Sequence, residues 1–224
     1  LFGDSLSTQA GSFFTTDAEE AGAAKVRTYA SGGTAPCDWL AKMSAVARQW
    51  SPNAVALQFS GDAYTPCMAG LAIGTTPYLQ KYTADTSQAI RIFTSVGARV
   101  YLIGAPPTDS AVLNGNITLL NSQYASLAAN DPTAVTFVNA GLSLEDASGN
   151  FTWTLPCLST EPCLGPQFGY PAGTNVVRAP DGVHFCPTGQ SAVDGVVAAC
   201  SVYMSGAMRF GAAMFAPIEA DFAL

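Results

Sequence analysis

The sequence predicts an α/β domain, a doubly wound parallel sheet with helices on both faces. Two observations lead there. Short runs rich in β-branched and aromatic residues alternate with helical stretches along most of the 224 residues, the pattern of repeated strand–helix units. The runs AVALQF (54–59) and RVYLI (99–103) are almost unbroken in apolar character, as strands covered on both faces must be. The length suits a single domain over residues 1–224 with a full core, and no repeat or linker divides it.

Phe2 ends a first strand, which is cut short at Leu1, so a leader or more of the strand is expected ahead of it. Ser5 to about Gly22 follows as a helix, and KVRTYA (25–30) alternates well enough for a short strand. Asp38 is expected to cap a helix running to Trp50, with Leu40, Met43 and Ala47 on one face. Ser51-Pro52-Asn53 breaks it ahead of the 54–59 strand. A helix from about Pro77 to Val96 ends at Gly97, and the 99–103 strand closes at Gly104 and Pro106-Pro107. Another helix spans about Asn116 to Ala129, and AVTFVN (134–139) is expected to be the last strand. Residues 141–180 show little periodicity, yet Phe151, Trp153, Phe168 and Tyr170 argue against disorder. This segment either walls a substrate cleft or covers a sheet edge. Pro187 is expected to begin a C-terminal helix. It would take in the apolar stretch Val196 to Ile218, which Arg209 and several small residues mark as core rather than membrane.

Composition excludes several functions. Nine Lys/Arg and a net charge of −7 argue against a nucleic-acid partner, whose phosphates need neutralising cations. They give no support for an anionic membrane surface either. No run reaches the roughly 18 apolar residues of a membrane span. Six cysteines point to three disulfides and an oxidising, extracytoplasmic setting. The expected pairs are Cys37–Cys67, Cys157–Cys163 and Cys186–Cys200, each joining neighbours in this topology. No CxxC or nearby histidine suggests zinc, and no metal, nucleotide or cofactor motif stands out. Two tripeptides, Asn116-Ile117-Thr118 and Asn150-Phe151-Thr152, match glycosylation sequons.

The chemistry concentrates at the two ends. Gly3-Asp4-Ser5-Leu6 sets a serine on a tight turn behind a strand, and Asp181-Gly182-Val183-His184 holds the only histidine in the chain. These are the parts of a nucleophile, a general base and the carboxylate that orients it. In a doubly wound sheet, groups beyond the carboxyl ends of the strands share one crevice. Ser5, Gly32-Gly33, Gly61-Asp62 and Asp181/His184 are all expected to follow strands at that end.

Four blocks, GDSLS (3–7), ASGGT (30–34), FSGDAYTPC (59–67) and DGVHF (181–185), resemble those of the SGNH/GDSL hydrolases in order and spacing, and together they sample nearly the whole chain. The resemblance implies a flavodoxin-like three-layer α/β/α fold with about five strands, and serine-dependent esterase or acyl-transfer chemistry without a cofactor. Carried onto this chain, it implies Ser5 as nucleophile, His184 as base and Asp181 as orienter. The backbone N–H groups of Ser5 and of Gly33 or Gly32 would form an oxyanion hole, with Gly32, Gly61 and Val183 beside the substrate. Asp4 would brace the turn. The third block departs from the family: Asp62 stands where an asparagine amide usually donates. An ionised carboxylate can only accept. Either Asp62 is held protonated, or the two backbone donors suffice, or turnover is weakened. The cysteines ahead of NVVRAPDGVHF also look like SGNH domains attached to membrane acyltransferases. The implied substrate is an ester-bearing small molecule, lipid or O-acylated glycan, met by a secreted esterase, an acyltransferase domain or a non-catalytic binding domain. Oligomeric state has no signal in the sequence.

Overall fold

Strands β1 (Phe2–Gly3), β2 (Tyr29–Ala30), β3 (Ala54–Gln58), β4 (Arg99–Ile103) and β5 (Val135–Val138) lie parallel in the order β2-β1-β3-β4-β5. The computed structural model describes residues 1–189, 192–193, 196–197 and 200–223. The order in which strands are added reverses at β1, the kind of switch point at which parallel sheets leave a crevice beyond the carboxyl ends of the two strands, here β1 and β3. Register is set by alternation: Val55, Leu57, Val100 and Leu102 enter one core, and Ala56, Tyr101 and Ile103 the other.

The first core is closed by α2 (Pro36–Trp50), α3 (Thr76–Thr94) and α4 (Ala111–Asn130) through Met43, Tyr78, Tyr82, Phe93, Leu120 and Tyr124. The second is closed by α1 (Ser5–Glu20) and α5 (Ser205–Phe222) through Leu6, Phe14, Phe210, Met214 and Phe215. At Gly211 a Cβ would lie 3.0 Å from the Ala10 carbonyl, so these two helices approach backbone to backbone. The result is the three-layer α/β/α arrangement expected from the motif blocks.

Several boundaries differ from the sequence reading, each for a physical reason. Asp38 does not precede α2 but sits in its first turn, where its carboxylate accepts the Ala35 N–H at 2.8 Å. The helix expected from Asn116 starts at Ala111, because Ser110 Oγ accepts from Leu113 N and outweighs the poor formers Asn114 and Gly115. Asn116 is therefore buried on a helix, not displayed as a glycosylation site. Gly97, at φ +82°, does close the end of α3. β5 is not the last strand, since β6 (Thr154–Pro156) and β7 (Thr174–Val176) pair antiparallel inside the segment that shows little periodicity.

The largest departure is at the C-terminus. No helix begins at Pro187; α5 starts at Ser205, and between them β8 (Ala192–Val193) and β9 (Val196–Val197) form a short antiparallel pair. The rest of the expected helix at 190–191, 194–195 and 198–199 lies outside the described residues. Cys186 and Cys200 are bonded with Cα atoms 5.6 Å apart, whereas a helix would hold them about 21 Å apart. The other two disulfides, Cys37–Cys67 and Cys157–Cys163, also form as expected. Together the three bonds suggest an extracytoplasmic protein. Among the described residues no helix is long and apolar enough to cross a membrane.

Two glycines predict opposite responses. A Cβ at Gly206 would run into the Val177 carbonyl, whereas one at Gly115, inside α4, meets nothing within 4 Å. Gly206→Ala should destabilise by about 1–3 kcal/mol through overpacking. Gly115→Ala should stabilise by about 0.5–1 kcal/mol by removing backbone freedom from the unfolded chain. Urea denaturation of both variants reads the signs directly.

Candidate active site

The serine turn is held from below by a buried carboxylate. A Cβ at Gly3 would collide with the Ser7 side chain and lie 2.6 Å from the Gln58 carbonyl, so only glycine lets β1 run tightly past β3 into α1. Asp4 caps α1 by accepting Leu6 N at 3.0 Å. Its other oxygen accepts both the N–H (2.5 Å) and the hydroxyl (2.6 Å) of Ser60, just beyond β3. Asp4 is fully buried, which pushes its carboxyl up, while the Ser60 and Leu6 donors pull it down; burial wins. Ser5 is thereby set as the first residue of α1, where no helical carbonyl is available to its N–H.

His184 reaches this serine from the far end of the chain. Its Nε2 lies 2.9 Å from Ser5 Oγ, and its Nδ1 lies 2.7 Å from Asp181 Oδ2. Because a carboxylate accepts, Nδ1 carries the proton and Nε2 presents its lone pair to the hydroxyl. Asp181 Oδ1 also accepts the N–H groups of Val183 and His184, both at 2.9 Å. Partial burial pushes the Asp181 carboxyl up, but the His184 ring and these two N–H groups outweigh it and hold it well below the usual range. Gly182, at φ +69°, makes the turn possible, and a Cβ there would press into Asp109. One expectation is corrected. Asp181 and His184 follow β7, which among the described residues pairs with β6 and not with the main sheet.

Two residues that the motif reading passed over hold that turn in place. Gln9, one helical turn after Ser5, accepts the Phe185 N–H at 2.7 Å. Arg178 is 1% exposed and donates to the carbonyls of Val183 (3.3 Å) and Pro107 (2.8 Å), with its guanidinium 5.5 Å from the Phe185 ring centre. Burial lowers its pKa to about 10. Both carried a signal: Ser5 and Gln9 share a helix face by their spacing, and Arg178 is the lone cation between Arg99 and Arg209.

The glycine blocks fall around Ser5 as follows. A Cβ on Gly32 would lie 3.6 Å from Ser5 Cβ, so the loop after β2 passes alongside the serine; Gly33 turns the chain at φ +76°. Gly61, at φ +111°, is boxed by Tyr78, Asn116 and Leu120, and its carbonyl accepts from the Tyr78 hydroxyl at 2.7 Å. Asp62 follows in a half-buried position. Burial and the neighbouring Asp4 raise its pKa to about 7, with His184 pulling the other way. Val183 packs against the α1/α5 core. The Cys37–Cys67 bond links the start of α2, just beyond Gly32-Gly33, to the loop carrying Asp62.

Among the described residues, the compact group of metal-ligating types is Cys37, Asp38 and Cys67, and its two sulfurs are consumed by that disulfide. A cavity of about 470 Å³ lies at the opposite end of the sheet, between Leu1, Phe14, Trp50, Asn53 and Phe215. It contains none of the residues above, so its size does not make it the site.

The family described as "Protein of unknown function (DUF459)" has a model that matches residues 1–199. No curated protein matches the sequence. Among solved structures, an acetyl xylan esterase superposes with a TM-score of 0.59 at 14% identity, covering 97% of this chain and 98% of its own. A GDSL-like lipase from Bacteroides thetaiotaomicron superposes with a TM-score of 0.54, also at 14% identity, covering 100% of this chain and 87% of its own. The fold is therefore that of the SGNH/GDSL hydrolases, as the four motif blocks implied.

Arg178 offers a direct check on how the histidine turn is held. Arg178→Met leaves two carbonyls without their donor, and each should cost about 1–3 kcal/mol. Arg178→Lys keeps the charge but loses the planar fork that reaches both. Denaturation curves should therefore rank wild type above Lys, and Lys above Met.

Proposed function

The chain belongs to the DUF459 family, and we propose that it is a serine esterase that hydrolyses carboxyl esters. The observation that carries this reading is the hydrogen-bonded series Ser5–His184–Asp181, at 2.9 and 2.7 Å, built from residues 179 positions apart and using the only histidine in the chain. The fold shared with ester-cleaving enzymes supports the same chemistry. The three disulfides support a secreted protein, and the esters it would meet there are those of small molecules, lipids or O-acylated glycans.

Ser5 Oγ attacks the ester carbonyl carbon while its proton passes to His184 Nε2. The tetrahedral oxyanion is met by the Ser5 N–H at the positive end of α1 and by the N–H of Gly32 or Gly33, with proximity to Ser5 favouring Gly32. The C–O bond then breaks, and His184 returns the proton to the departing alcohol. Water repeats the sequence in reverse on the acyl-serine and releases the acid. Asp181 stays ionised throughout and keeps the imidazole oriented.

Asp62 gives this enzyme a pH signature. A carboxyl with a pKa raised to about 7 is protonated below that pH and can donate to the oxyanion, as an amide would. Above it, the carboxylate repels the developing charge. Ester turnover should therefore fall as pH rises through about 7, and Asp62→Asn should remove that fall and raise the rate at pH 8. Rates that match wild type at every pH would take Asp62 out of the oxyanion hole.

The parent reading has its own test. A fluorophosphonate should label Ser5, seen as an intact-mass increase, and p-nitrophenyl acetate should be hydrolysed. Ser5→Ala should abolish both. Asp181→Asn should lower turnover by about 10³–10⁴-fold through the wrong imidazole tautomer. Labelling that persists in Ser5→Ala, or no labelling at all, would sink the assignment.

A further inference from the structure

Beside the histidine turn lies a recess of about 250 Å³ walled by Trp153, Phe168, Tyr170, Pro180 and Pro187. It is built by the segment that carried no periodicity in the sequence, and that segment is firmly held. β6 and β7 pair across its base. Cys157–Cys163 closes a short loop. Asn175, 1% exposed, accepts from Leu164 N at 3.2 Å and donates to the Pro162 carbonyl at 2.7 Å. Gly165 packs directly on the Thr174 carbonyl, where a Cβ would not fit. Trp153 stands edge-on to Phe151, ring centres 4.9 Å apart. Three half-exposed aromatic rings are thus fixed around an open space, an arrangement that binding favours and burial alone does not require.

The position says which part of a substrate would enter. Pro180 directly precedes Asp181, and Pro187 follows His184 by three residues, so the recess shares a wall with the acid–base turn. The imidazole hands its proton to the departing alcohol, so the alcohol lies on the His184 side of Ser5. The lining says what kind of alcohol. A volume below the roughly 300 Å³ of ordinary drug-sized sites takes one ring rather than a long chain. Trp and Tyr pair a flat apolar face with an N–H or O–H, which suits a ring bearing both C–H faces and hydroxyls. Among the described residues, the charged side chain lining the recess is Arg178, and it already donates to two carbonyls, so these residues present no free cation to an anion.

We propose that this recess is the alcohol-side subsite and that it takes a neutral pyranose ring, making the substrate an O-acylated sugar. The proposal rests on the esterase reading above, and its test separates the two. Wild type, Trp153→Ala and Tyr170→Ala are compared on a monoacetylated methyl glucopyranoside, phenyl acetate and vinyl acetate, with far-UV circular dichroism to verify folding. Each variant should lose about tenfold or more in kcat/KM on the sugar ester, mainly through KM, and retain its vinyl acetate rate. Equal losses on all three esters, or a loss confined to phenyl acetate, overturn the sugar subsite while leaving the esterase intact. Saturation-transfer NMR of methyl glucopyranoside on folded Ser5→Ala protein reads the recess without catalysis. Binding there that Trp153→Ala or Tyr170→Ala removes supports the subsite even if no ester is cleaved, and an absence of binding overturns it.

Discussion

The site depends on one buried carboxylate. Asp4 has no exposure to water, and its two oxygens take up three donors, one from the first turn of α1 and two from Ser60 past the end of β3. A charge or acid so placed is tolerable only when fully hydrogen-bonded. Its partners in turn fix the angle at which β1 delivers the chain into α1. Ser5 stands at the position this angle defines, with the unused N–H groups of a helix start around it. The requirement for glycine at position 3 follows from the same constraint, since any side chain there would push β1 away from β3.

The histidine arrives by a different route. No strand of the main sheet carries it. A turn held by Gln9, Arg178 and the absence of a side chain at Gly182 brings it across the fold to Ser5. The histidine half of the candidate site therefore rests on side-chain contacts to backbone groups, each modest alone. Their geometry is set by the α1/α5 core, through Phe185 and Phe210 packed at 5.6 Å.

The main-sheet strands, most of the helices and the presence of three disulfides were legible because each has a local signature: apolar runs, helix-closing glycines, and an even set of thiols. The meeting of Ser5, His184 and Asp181 was legible for a stronger reason, since a chain with one histidine offers a single imidazole. What the sequence hid is non-local. Ser60 donates to the Asp4 carboxylate, Gln9 accepts the Phe185 N–H and Arg178 donates to two carbonyls, each partner far along the chain, so no local pattern names the pairing. The helix misplaced at Pro187 failed because periodicity does not register that Cys186 and Cys200 must meet. The early start of α4 was masked by Asn114 and Gly115, weak helix formers overruled by a cap one turn upstream.

The Cys37–Cys67 bond divides the site into two mechanical halves. It fastens the loop region after β2 to the loop after β3, so the chain just beyond the glycines beside Ser5 and the segment bearing Asp62 are tied covalently. The opposing half, with His184, is held by the hydrogen bonds of Gln9 and Arg178, by Phe185 in the α1/α5 core and by Cys186–Cys200, and it carries the aromatic insert. On that second half the half-exposed rings Trp153, Phe168 and Tyr170 are free to change, whereas Arg178, Asn175 and Cys157–Cys163, which hold it, are not. With the alcohol subsite proposed above, a lineage could exchange one alcohol for another at those three rings while the geometry at Ser5 and His184 stayed untouched.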